Sequence, residues 1–594
     1  MPNANASGPR VGVDTGGTFT DLVTDDGLVR KLPSTPADPS RAVVDSCRDL
    51  GPAVLAHGTT VATNALLERR LGRVALVTTT GFADVIEIAR QARPSLYDPH
   101  VDRPAPLVPR DLRFEVAGRL DASGRELEPF DGVVPDVGAV DTVAVCLLHA
   151  DLSSAHERAV ADVLRSRGYD VVCSHEVSPE FREYERIVTT TADAALRRVC
   201  APYLRGLSPL ADDVLVMTSA GGLVPLDEAE VHPARLLLSG PAGGVRAAAA
   251  VAAACGFTDA VAFDMGGTST DVCLVHSGVP APTTTRRVAG LPVRLPSLAI
   301  HTIGAGGGSI ARLDPGGALV VGPESAGAEP GPACYGRGGR APTVTDADVV
   351  LGRIPGTQEL PGLGRLDVEA ARRALDDAGV TADGVVAVVD AAMARAVRVV
   401  TVEQGVDPRD LALIAFGGAG PLHACAVADE LGMRTVVVPA RAGVFSALGI
   451  LCAPEQRELV ESWPTPASRD GLAAARASLV ERATALLPGG QVDEWLDCRY
   501  VGQSHELTVP DVADFPAIHE QRNGYARPGV AIEIVALRAR VTCAAPLAVT
   551  DLPEVRRAVA RGPAVVAEAD CTMWVPDGWT ATPGPAGAWL VERP

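Results

Sequence analysis

The stretch that decides the fold reads Asp14-Thr-Gly-Gly-Thr-Phe-Thr-Asp-Leu22, and it returns 250 residues later as Asp264-Met-Gly-Gly-Thr-Ser-Thr-Asp-Val272. Six of the nine positions are identical, and an apolar run precedes each copy. A strand that enters a Gly-Gly turn and leaves in a β-branched run predicts a tight β-hairpin. The repeat therefore indicates two copies of one structural unit.

Each hairpin has the composition of a phosphate-binding turn. Glycines leave backbone N–H groups uncovered by side chains, and successive N–H groups form a nest that binds anions. A carboxylate at the strand end can hold Mg²⁺ against bound phosphates, and threonine adds a hydroxyl donor. We therefore expect a nucleotide site made by Asp14, Gly16, Gly17, Thr18, Asp264, Gly266, Gly267 and Thr268, with Asp14 and Asp264 as metal ligands.

Length, charge and cysteine content limit which class of protein this chain can belong to. A chain of 594 residues is long enough for about two to four domains. The net charge of −20, without a basic cluster, argues against nucleic acid as the main partner. Residues 1–10 lack the apolar core of a secretory signal, and no apolar run reaches the length of a membrane span. The 12 cysteines include no Cys-x-x-Cys motif, which argues against zinc ribbons, iron–sulfur clusters and thioredoxin chemistry. We expect a cytoplasmic protein with reduced thiols and no membrane contact.

The only lysine of the chain is Lys31. A P-loop requires a lysine directly after its glycines, and no glycine run precedes Lys31. The sequence therefore argues against P-loop chemistry and against a lysine Schiff base. Bound phosphates must be neutralised by backbone amides, a metal ion and arginines.

Several other residues are candidates for a site. His57 ends a predicted strand before a helix, where α/β sheets place ligand groups. Arg90 and Gln91 follow a predicted helix over 82–89 and could clamp a carboxylate or phosphate, and Glu183 lies one helical turn before Arg186. A structural histidine and a solvated charged surface are the alternatives. Two more glycine turns, the first preceded by His301, supply Gly306, Gly307, Gly417 and Gly418.

The sequence pattern changes after residue 452. Alternating or β-branched runs occur at 499–509 and 532–542 without helices between parallel strands. We therefore expect three domains: an N-terminal lobe at 1–238, a second lobe at 239–452 and a smaller β-rich domain at 453–594.

The order of these motifs resembles the actin-like ATPase superfamily and, more narrowly, the A-type, ATP-binding subunit of the hydantoinase/oxoprolinase family. The resemblance implies an α/β fold in which two ribonuclease-H-like lobes clamp ATP, followed by the smaller β-rich C-terminal domain. The stretches that carry the narrower resemblance are 13–21, 57–66, 180–186, 263–271, 302–309, 322–336, 416–423 and 499–504.

The family resemblance also implies a function. Family members hydrolyse a cyclic amide, such as a hydantoin, 5-oxoproline or a related lactam, after ATP phosphorylates the carbonyl oxygen. The implied cofactors are ATP and Mg²⁺, with a monovalent cation as a further option, and the implied partner is a B-type hydantoinase subunit in a hetero-oligomer. The implied roles are catalytic for Asp264, His57, Glu183 and Arg186, substrate-binding for Arg90, Gln91 and His301, and nucleotide-binding for Gly306, Gly307, Gly417 and Gly418 beside the two hairpins.

Alternative functions stay open at this point. The ATP-binding subunit of an acetone/acetophenone-type carboxylase would use the same nucleotide machinery on a ketone. A small-molecule kinase or a nucleotide-switched binding module would need no B-type partner. The chain departs from the family pattern at Asp151, Ala299 and Val406, where the family tends to have Tyr, Asp and His, so the resemblance assigns no role to position 299.

Overall fold

The computed structural model describes residues 8–35, 38–357, 359–360 and 364–593, and residues 1–7 of the polar opening stretch lie outside it. Within these ranges the chain is a mixture of strands and helices. The α-helices are Pro39–Cys47, Val61–Leu67, Val85–Ile88, Ala155–Ser166, Ser174–Val177, Glu183–Leu207, Leu226–Val231, Ser239–Ala254, Val344–Val350, Val368–Ala378, Ala382–Val400, Gly420–Leu431, Phe445–Leu451, Leu472–Leu486 and Phe515–Asn523.

The first lobe contains two sheets. The larger sheet begins with the first hairpin, and its central strand Val54–Thr59 is parallel to both neighbours. Its strands, in spatial order, are Leu223–Pro225, Asp213–Met217, Val54–Thr59, Arg10–Thr15, Phe19–Thr24 and Val29–Pro33. The second sheet is entirely parallel, with the order Val171–Cys173, Thr142–Cys146, Val74–Thr79 and Arg113–Val116.

The second lobe is built on one nine-stranded sheet. The second hairpin pairs with the parallel strand Ala412–Phe416, as the first hairpin pairs with Val54–Thr59. The main path runs Val279–Pro280, Thr270–His276, Ala260–Met265, Ala412–Phe416, Thr435–Val438, Trp589–Glu592, Thr580–Pro583 and Ala560–Arg561, and His301–Ile303 pairs beside Thr270–His276. The described part of this half also has five antiparallel two-stranded sheets. They pair Pro282–Thr283 with Ser297–Leu298, Arg286–Val288 with Leu291–Val293, Ser309–Leu313 with Leu319–Ser325, Glu359–Leu360 with Gly364–Arg365, and Ala564–Ala567 with Thr572–Val575. In the first lobe, Arg119–Leu120 pairs with Glu126–Glu128 in the same way.

The region after residue 452 contributes to two sheets. Its own antiparallel sheet has the order Gln456–Ser462, Ile532–Thr542, Gln491–Tyr500 and Leu507–Val509, and two helices cover it. The last strand, Trp589–Glu592, instead pairs antiparallel with Thr435–Val438 of the second lobe. The boundaries at 238 and 452 stay predictions, and this strand pairing shows that the chain after 452 is not one separate unit.

Two helices cross closely where the lobes meet. A Cβ on Gly449 of Phe445–Leu451 would lie 1.9 Å from the carbonyl oxygen of Gly243 in Ser239–Ala254. No side chain fits in that space, so glycine lets the two backbones touch. Because each of these helices begins at the space between the hairpins, this contact fixes how the hairpins face each other.

One predicted helix is shorter than expected. The sequence predicted a helix over 82–89, but only Val85–Ile88 is helical. Ala89 and Gln91 have φ values of 53° and 54°, which a right-handed helix does not allow. Among the residues described, no helix combines the length and the apolar character needed to cross a membrane.

Candidate active site

The two hairpins have the same backbone geometry and face each other. In each, the N–H of the first glycine donates to a carbonyl oxygen three residues on: Gly16 to Phe19 and Gly266 to Ser269, both at 3.0 Å. A Cβ on Gly267 would lie 3.0 Å from Oγ1 of Thr18 on the opposite lobe. The turns therefore meet across the gap between the lobes.

A cavity of about 270 Å³ lies between the hairpins. Its wall is made of turns and helix starts from both lobes, together with a loop near residue 570. Eleven residues predicted from the sequence line it: Asp14, Gly16, Gly17, Thr18, Asp264, Gly266, Gly267, Thr268, Gly307, Gly417 and Gly418.

Four carboxylates from the hairpins converge on this cavity. Asp14 is paired across its hairpin with Asp21, and Asp264 with Asp271. Burial, reinforced by the neighbouring carboxylates, raises the pKa of Asp14 to about 7 and that of Asp264 to about 8. Burial also raises the pKa of Asp271 to about 6 and that of Asp21 above its usual range. Burial and mutual repulsion disfavour ionisation of these four carboxyl groups, and a bound cation would offset that effect, so the cluster favours a cation.

The space beside the carboxylates is kept free by glycine. A Cβ on Gly240 would lie 2.8 Å from Oδ1 of Asp14, and one on Gly417 would lie 2.4 Å from Oδ1 of Asp264. Oδ1 of Asp14 is buried and has no hydrogen-bond partner in the described part of the chain. Mg²⁺ is usually held by one or two carboxylates, with water and phosphate oxygens as its other ligands, so a buried carboxylate oxygen without a partner beside this cavity fits that ion.

Lys31 lies in the cavity wall, which the sequence reasoning missed. Its Nζ donates to both oxygens of Asp21, at 2.9 and 3.0 Å, and to the carbonyl oxygen of Gly443 at 2.9 Å. Lys31 lies directly opposite Asp21 on the strand after the first hairpin. The sequence offered one signal for this role, because Lys31 follows Asp21, the second aspartate of the first repeated motif, by ten residues. Asp21 and Asp271, also missed, are themselves part of that repeat.

Gly306 does not line the cavity, contrary to the prediction. A Cβ there would lie 2.8 Å from the backbone of Gly267 and Thr268, so Gly306 packs against the rear of the second hairpin. Its neighbour Gly307 lines the cavity and donates its N–H to the carbonyl oxygen of Gly266 at 3.0 Å. This turn supports the hairpin from behind.

His57 lies inside the first lobe and does not reach the cavity. Its side chain is fully buried, it shares a hydrogen bond of 2.6 Å with the hydroxyl of Tyr203, and burial lowers its pKa to about 4. His57 is paired with Val13, whose side chain belongs to the core, whereas the next residue along that strand is the metal-ligand candidate Asp14. Because side chains alternate along a strand, His57 points away from the cavity.

The remaining predicted residues lie in other places. Glu183 begins the helix Glu183–Leu207, and the buried Arg186 donates to Asp151 Oδ1 at 2.7 Å and to the carbonyl oxygen of Leu147 at 2.8 Å. Arg90 forms an ion pair with Glu185, Gln91 is exposed, and His301 lies on a short strand paired with Thr270–His276. None of the five residues Glu183, Arg186, Arg90, Gln91 and His301 is among those lining the cavity.

A fully buried histidine supports the wall on the second lobe. Nδ1 of His423 lies 2.7 Å from Asp390 Oδ1, and Nε2 lies 3.2 Å from Oδ2 of Asp348, which lines the cavity. Burial alone would lower the pKa of His423, but the two carboxylates outweigh it and raise the pKa to about 10. A protonated His423 therefore joins three helices at neutral pH.

Comparison with known proteins places the chain in a family. The profile "Hydantoinase/oxoprolinase N-terminal region" matches residues 10–168, and "Hydantoinase/oxoprolinase" matches residues 186–458. The caprolactamase subunit alpha of Pseudomonas jessenii is 31% identical over 685 aligned positions, which cover 98% of each chain. The chain belongs to the hydantoinase/oxoprolinase family. The family and the two-lobed fold expected from the sequence are thereby confirmed.

A solved structure and one further relative show the range of proteins that this chain is similar to. The crystal structure of the ATP-dependent caprolactamase from Pseudomonas jessenii superposes with a TM-score of 0.83 at 29% identity, covering 98% of this chain and 99% of that one. The acetophenone carboxylase gamma subunit of Aromatoleum aromaticum is 34% identical over 496 positions, covering 74% of this chain and 67% of its own. The proteins similar to this chain thus include one named for a lactam and one named for a ketone.

Proposed function

We propose that this chain is the ATP-binding subunit of an enzyme that hydrolyses a cyclic amide at the expense of ATP. The observation that carries this is the cavity in which two glycine hairpins enclose four buried carboxylates. Similarity over 98% of the chain to a caprolactamase subunit supports a lactam as the substrate class.

Asp14 and Asp264 would hold Mg²⁺, one from each lobe. Bound Mg²⁺ supplies charge neutralisation for the phosphates of ATP. Gly16 and Gly266 donate their N–H groups within the turns, so the N–H groups of Gly17 and Gly267 would bind phosphate oxygens. Gly417 with Gly418 would hold the nucleoside end at the start of Gly420–Leu431.

The chemistry explains why a lactam needs ATP. An amide carbon is a poor electrophile, and its oxygen is a poor leaving group. When that oxygen attacks the γ-phosphorus, its bond to phosphorus forms, the bond to ADP breaks, and the amide becomes an O-phosphorylated species open to attack by water. Catalysis of such a transfer is mainly positioning and stabilisation of charge, which backbone donors at fixed places provide.

We assign the attack by water to a second, B-type subunit. In the described part of the wall around the cavity there is no histidine, and His57, Glu183, Arg186 and His301 lie elsewhere. Of the candidate catalytic residues we therefore retain Asp264 alone in the phosphoryl-transfer step. A hetero-oligomer agrees with the naming of the relative as a subunit.

All 12 cysteines are free, as in proteins kept in the reducing cytoplasm, where we place this one.

A carboxylase subunit is the second candidate, supported by the similarity to the acetophenone carboxylase gamma subunit. It would transfer phosphate to an enol or bicarbonate oxygen in the same cavity. The two candidates differ in the second substrate, water or bicarbonate.

The test uses the purified chain alone and mixed with a B-type hydantoinase subunit. Each sample receives MgATP and a panel of caprolactam, hydantoin, 5-oxoproline and acetophenone, with labelled bicarbonate. We expect the lone chain to bind MgATP and hydrolyse it slowly, and the mixture to open a ring with coupled ADP release. Label in a carboxylate product would select the carboxylase. Ring opening by the lone chain on the order of 10 s⁻¹ would contradict the two-subunit assignment.

A further inference from the structure

Three side chains of the first lobe that could ligate a metal ion lie close together outside the nucleotide cavity. They are His149, Asp151 and Glu183, and their candidate ligand atoms, one from each residue, lie within 4.8 Å of one another. Nδ1 of His149 is 3.9 Å from Oε1 of Glu183. Two ligands of a tetrahedral Zn²⁺ ion lie about 3.3 Å apart, so the three side chains have to close by no more than about 1.5 Å.

The fold leaves the ligand atoms of this trio available. Among the contacts described, neither the ring of His149 nor the carboxylate of Glu183 takes part in a hydrogen bond, and each has only ion pairs of 3.9 to 4.0 Å. Asp151 uses Oδ1, which accepts from Arg186 at 2.7 Å, and that contact orients the carboxylate. Carboxylates that bind metal ions are commonly held by such a hydrogen bond.

A second trio in the same lobe, Glu157, Cys173 and His175, lacks this property. The carboxylate of Glu157 already accepts four hydrogen bonds, one of them from the ring of His175 at 2.7 Å. The thiol of Cys173 belongs to an apolar cluster under the sheet. These groups are therefore explained by the fold alone, whereas those of the first trio are not.

The sheet presents the first trio where parallel sheets bind ligands. His149 and Asp151 directly follow the carboxyl end of Thr142–Cys146. After Val74–Thr79, the chain adds Arg113–Val116 on one side of that strand and then Thr142–Cys146 on the other. Ligand sites of open parallel sheets lie outside the carboxyl ends of the strands at such a reversal.

The backbone holds His149 in an unusual conformation. Its φ is 59°, in the left-handed region that residues other than glycine rarely adopt. Its carbonyl oxygen accepts from the N–H groups of Leu152 and Ser153, at 3.0 and 3.2 Å, which fixes the turn. Conformations of this kind are concentrated at functional sites, so the turn agrees with a role for this side chain.

Charge and exposure both suit a cation. Asp151 and Glu183 share one buried arginine, Arg186, at 2.7 and 4.0 Å, so these three groups carry one excess negative charge. The side chains of His149 and Glu183 are 25% and 32% exposed. Asp151 lines a cavity of about 370 Å³ between the first lobe and the C-terminal sheet. An ion can therefore reach the trio from solvent.

We propose that His149, Asp151 and Glu183 bind a divalent transition-metal ion, and that Zn²⁺ fits this set best. One imidazole nitrogen with two carboxylates suits Zn²⁺, whereas Mg²⁺ is held by oxygen ligands. Three protein ligands leave one position of the tetrahedron to water. None of the three residues lines the nucleotide cavity, so this site does not rest on the proposed function.

The test titrates the full-length chain with Zn²⁺ in a calorimeter after a chelator has removed bound metal. Excess Mg²⁺ is present throughout, so that the carboxylates of the nucleotide cavity are occupied. We expect one Zn²⁺ per chain. His149→Gln, Asp151→Asn and Glu183→Gln should each weaken its binding about a hundredfold or more, because loss of a group that only supports a ligand already costs about 10- to 100-fold. Co²⁺ used in place of Zn²⁺ should give a visible absorption band that His149→Gln removes.

Two variants serve as controls. His175→Gln removes a histidine from the second trio, and Asp264→Asn removes a carboxylate from the nucleotide cavity. Both should keep the affinity for Zn²⁺ and the Co²⁺ band of the parent.

The opposite results would overturn the inference. These are no binding of Zn²⁺ in the presence of Mg²⁺, unchanged binding in His149→Gln, or loss of binding in His175→Gln or Asp264→Asn. If His149→Gln does not fold, Glu183→Gln decides, because that side chain is partly exposed and has no hydrogen bond to lose among the contacts described. No nucleotide or lactam is present, so a failure of the proposed function would leave this result unchanged.

Discussion

The two hairpins share sequence and backbone but differ in their side-chain partners. In the first, Asp21 is bound by the ammonium group of Lys31, at 2.9 Å. In the second, Asp271 accepts a hydrogen bond from the hydroxyl of Thr302 at 2.5 Å, and Asp264 accepts one from Ser446 at 3.2 Å. The first hairpin therefore carries a cation of its own, and the second is supported by neutral donors.

This difference explains why the two metal-ligand candidates are unequal. Burial raises the pKa of both residues, but Lys31 partly offsets this for Asp14, whereas the main influences on Asp264 besides burial are Asp271, Asp14 and the hydroxyl of Ser446. The pKa of Asp264, about 8, is accordingly above that of Asp14, about 7. A repeated motif thus fixes the geometry of a site, while the residues around each copy set its electrostatics.

The largest expected effect comes from removing the paired carboxylates. Asp14→Asn and Asp264→Asn should each lower Mg²⁺-dependent ATP turnover at least a hundredfold, since a lost metal ligand costs about 3 kcal/mol or more of transition-state stabilisation. Without nucleotide, both variants should be at least as stable as the parent at pH 8, because a neutral side chain replaces a buried charge. The gain should be larger for Asp264→Asn.

ATP turnover and melting temperature measured together check this prediction. The exposed Asp212 provides a control, since Asp212→Asn should change neither quantity. Full ATPase activity in either hairpin variant would remove that residue from the site.

The second effect concerns His423, the buried cation of the second lobe. Because its folded-state pKa of about 10 is above the ordinary value of 6.5, protonation stabilises the fold. This contribution is complete below about pH 6.5 and is lost as the pH rises to about 10. The free energy of unfolding should therefore fall more steeply between pH 7 and 10 in the parent than in His423→Gln.

Urea unfolding at several pH values measures that slope. Asp14 and Asp264 also titrate near pH 7 to 8, but they are present in both proteins and cancel in the comparison. Parallel curves for the parent and His423→Gln would show that His423 is neutral throughout.

The sequence predicted the parts of the molecule that depend on local pattern. The hairpins with Asp14 and Asp264 were found because glycine turns and strand-end aspartates repeat as one motif. His57 was predicted to end its strand, but the strand continues to Thr59, and strand position alone did not tell which face its side chain takes. Pairing with Val13, a contact between strands distant in sequence, decides that it points into the core.

Other features depend on contacts that no local pattern reveals. Lys31 was considered only as a P-loop or Schiff-base lysine, and its role appears only when its strand is paired with the strand of Asp21. The return of Trp589–Glu592 to the second lobe depends on pairing with a strand about 150 residues earlier. Gly306 belongs to a true glycine turn, but that turn packs behind the hairpin.

The smallest expected effect separates the two kinds of support that the hairpins receive. Lys31→Met leaves the buried carboxylate of Asp21 without its cation and should cost about 1–3 kcal/mol of unfolding free energy, whereas Thr302→Val removes one hydroxyl donor from Asp271 and should cost about 1 kcal/mol. Lys31→Arg keeps the charge and serves as the control.

Lys31→Met should also raise the pKa of Asp14 towards that of Asp264, which a pH titration of Mg²⁺ binding would detect as weaker binding at pH 7. Equal losses of stability in Lys31→Met and Thr302→Val, with unchanged Mg²⁺ binding, would mean that the charge of Lys31 does not distinguish the two hairpins.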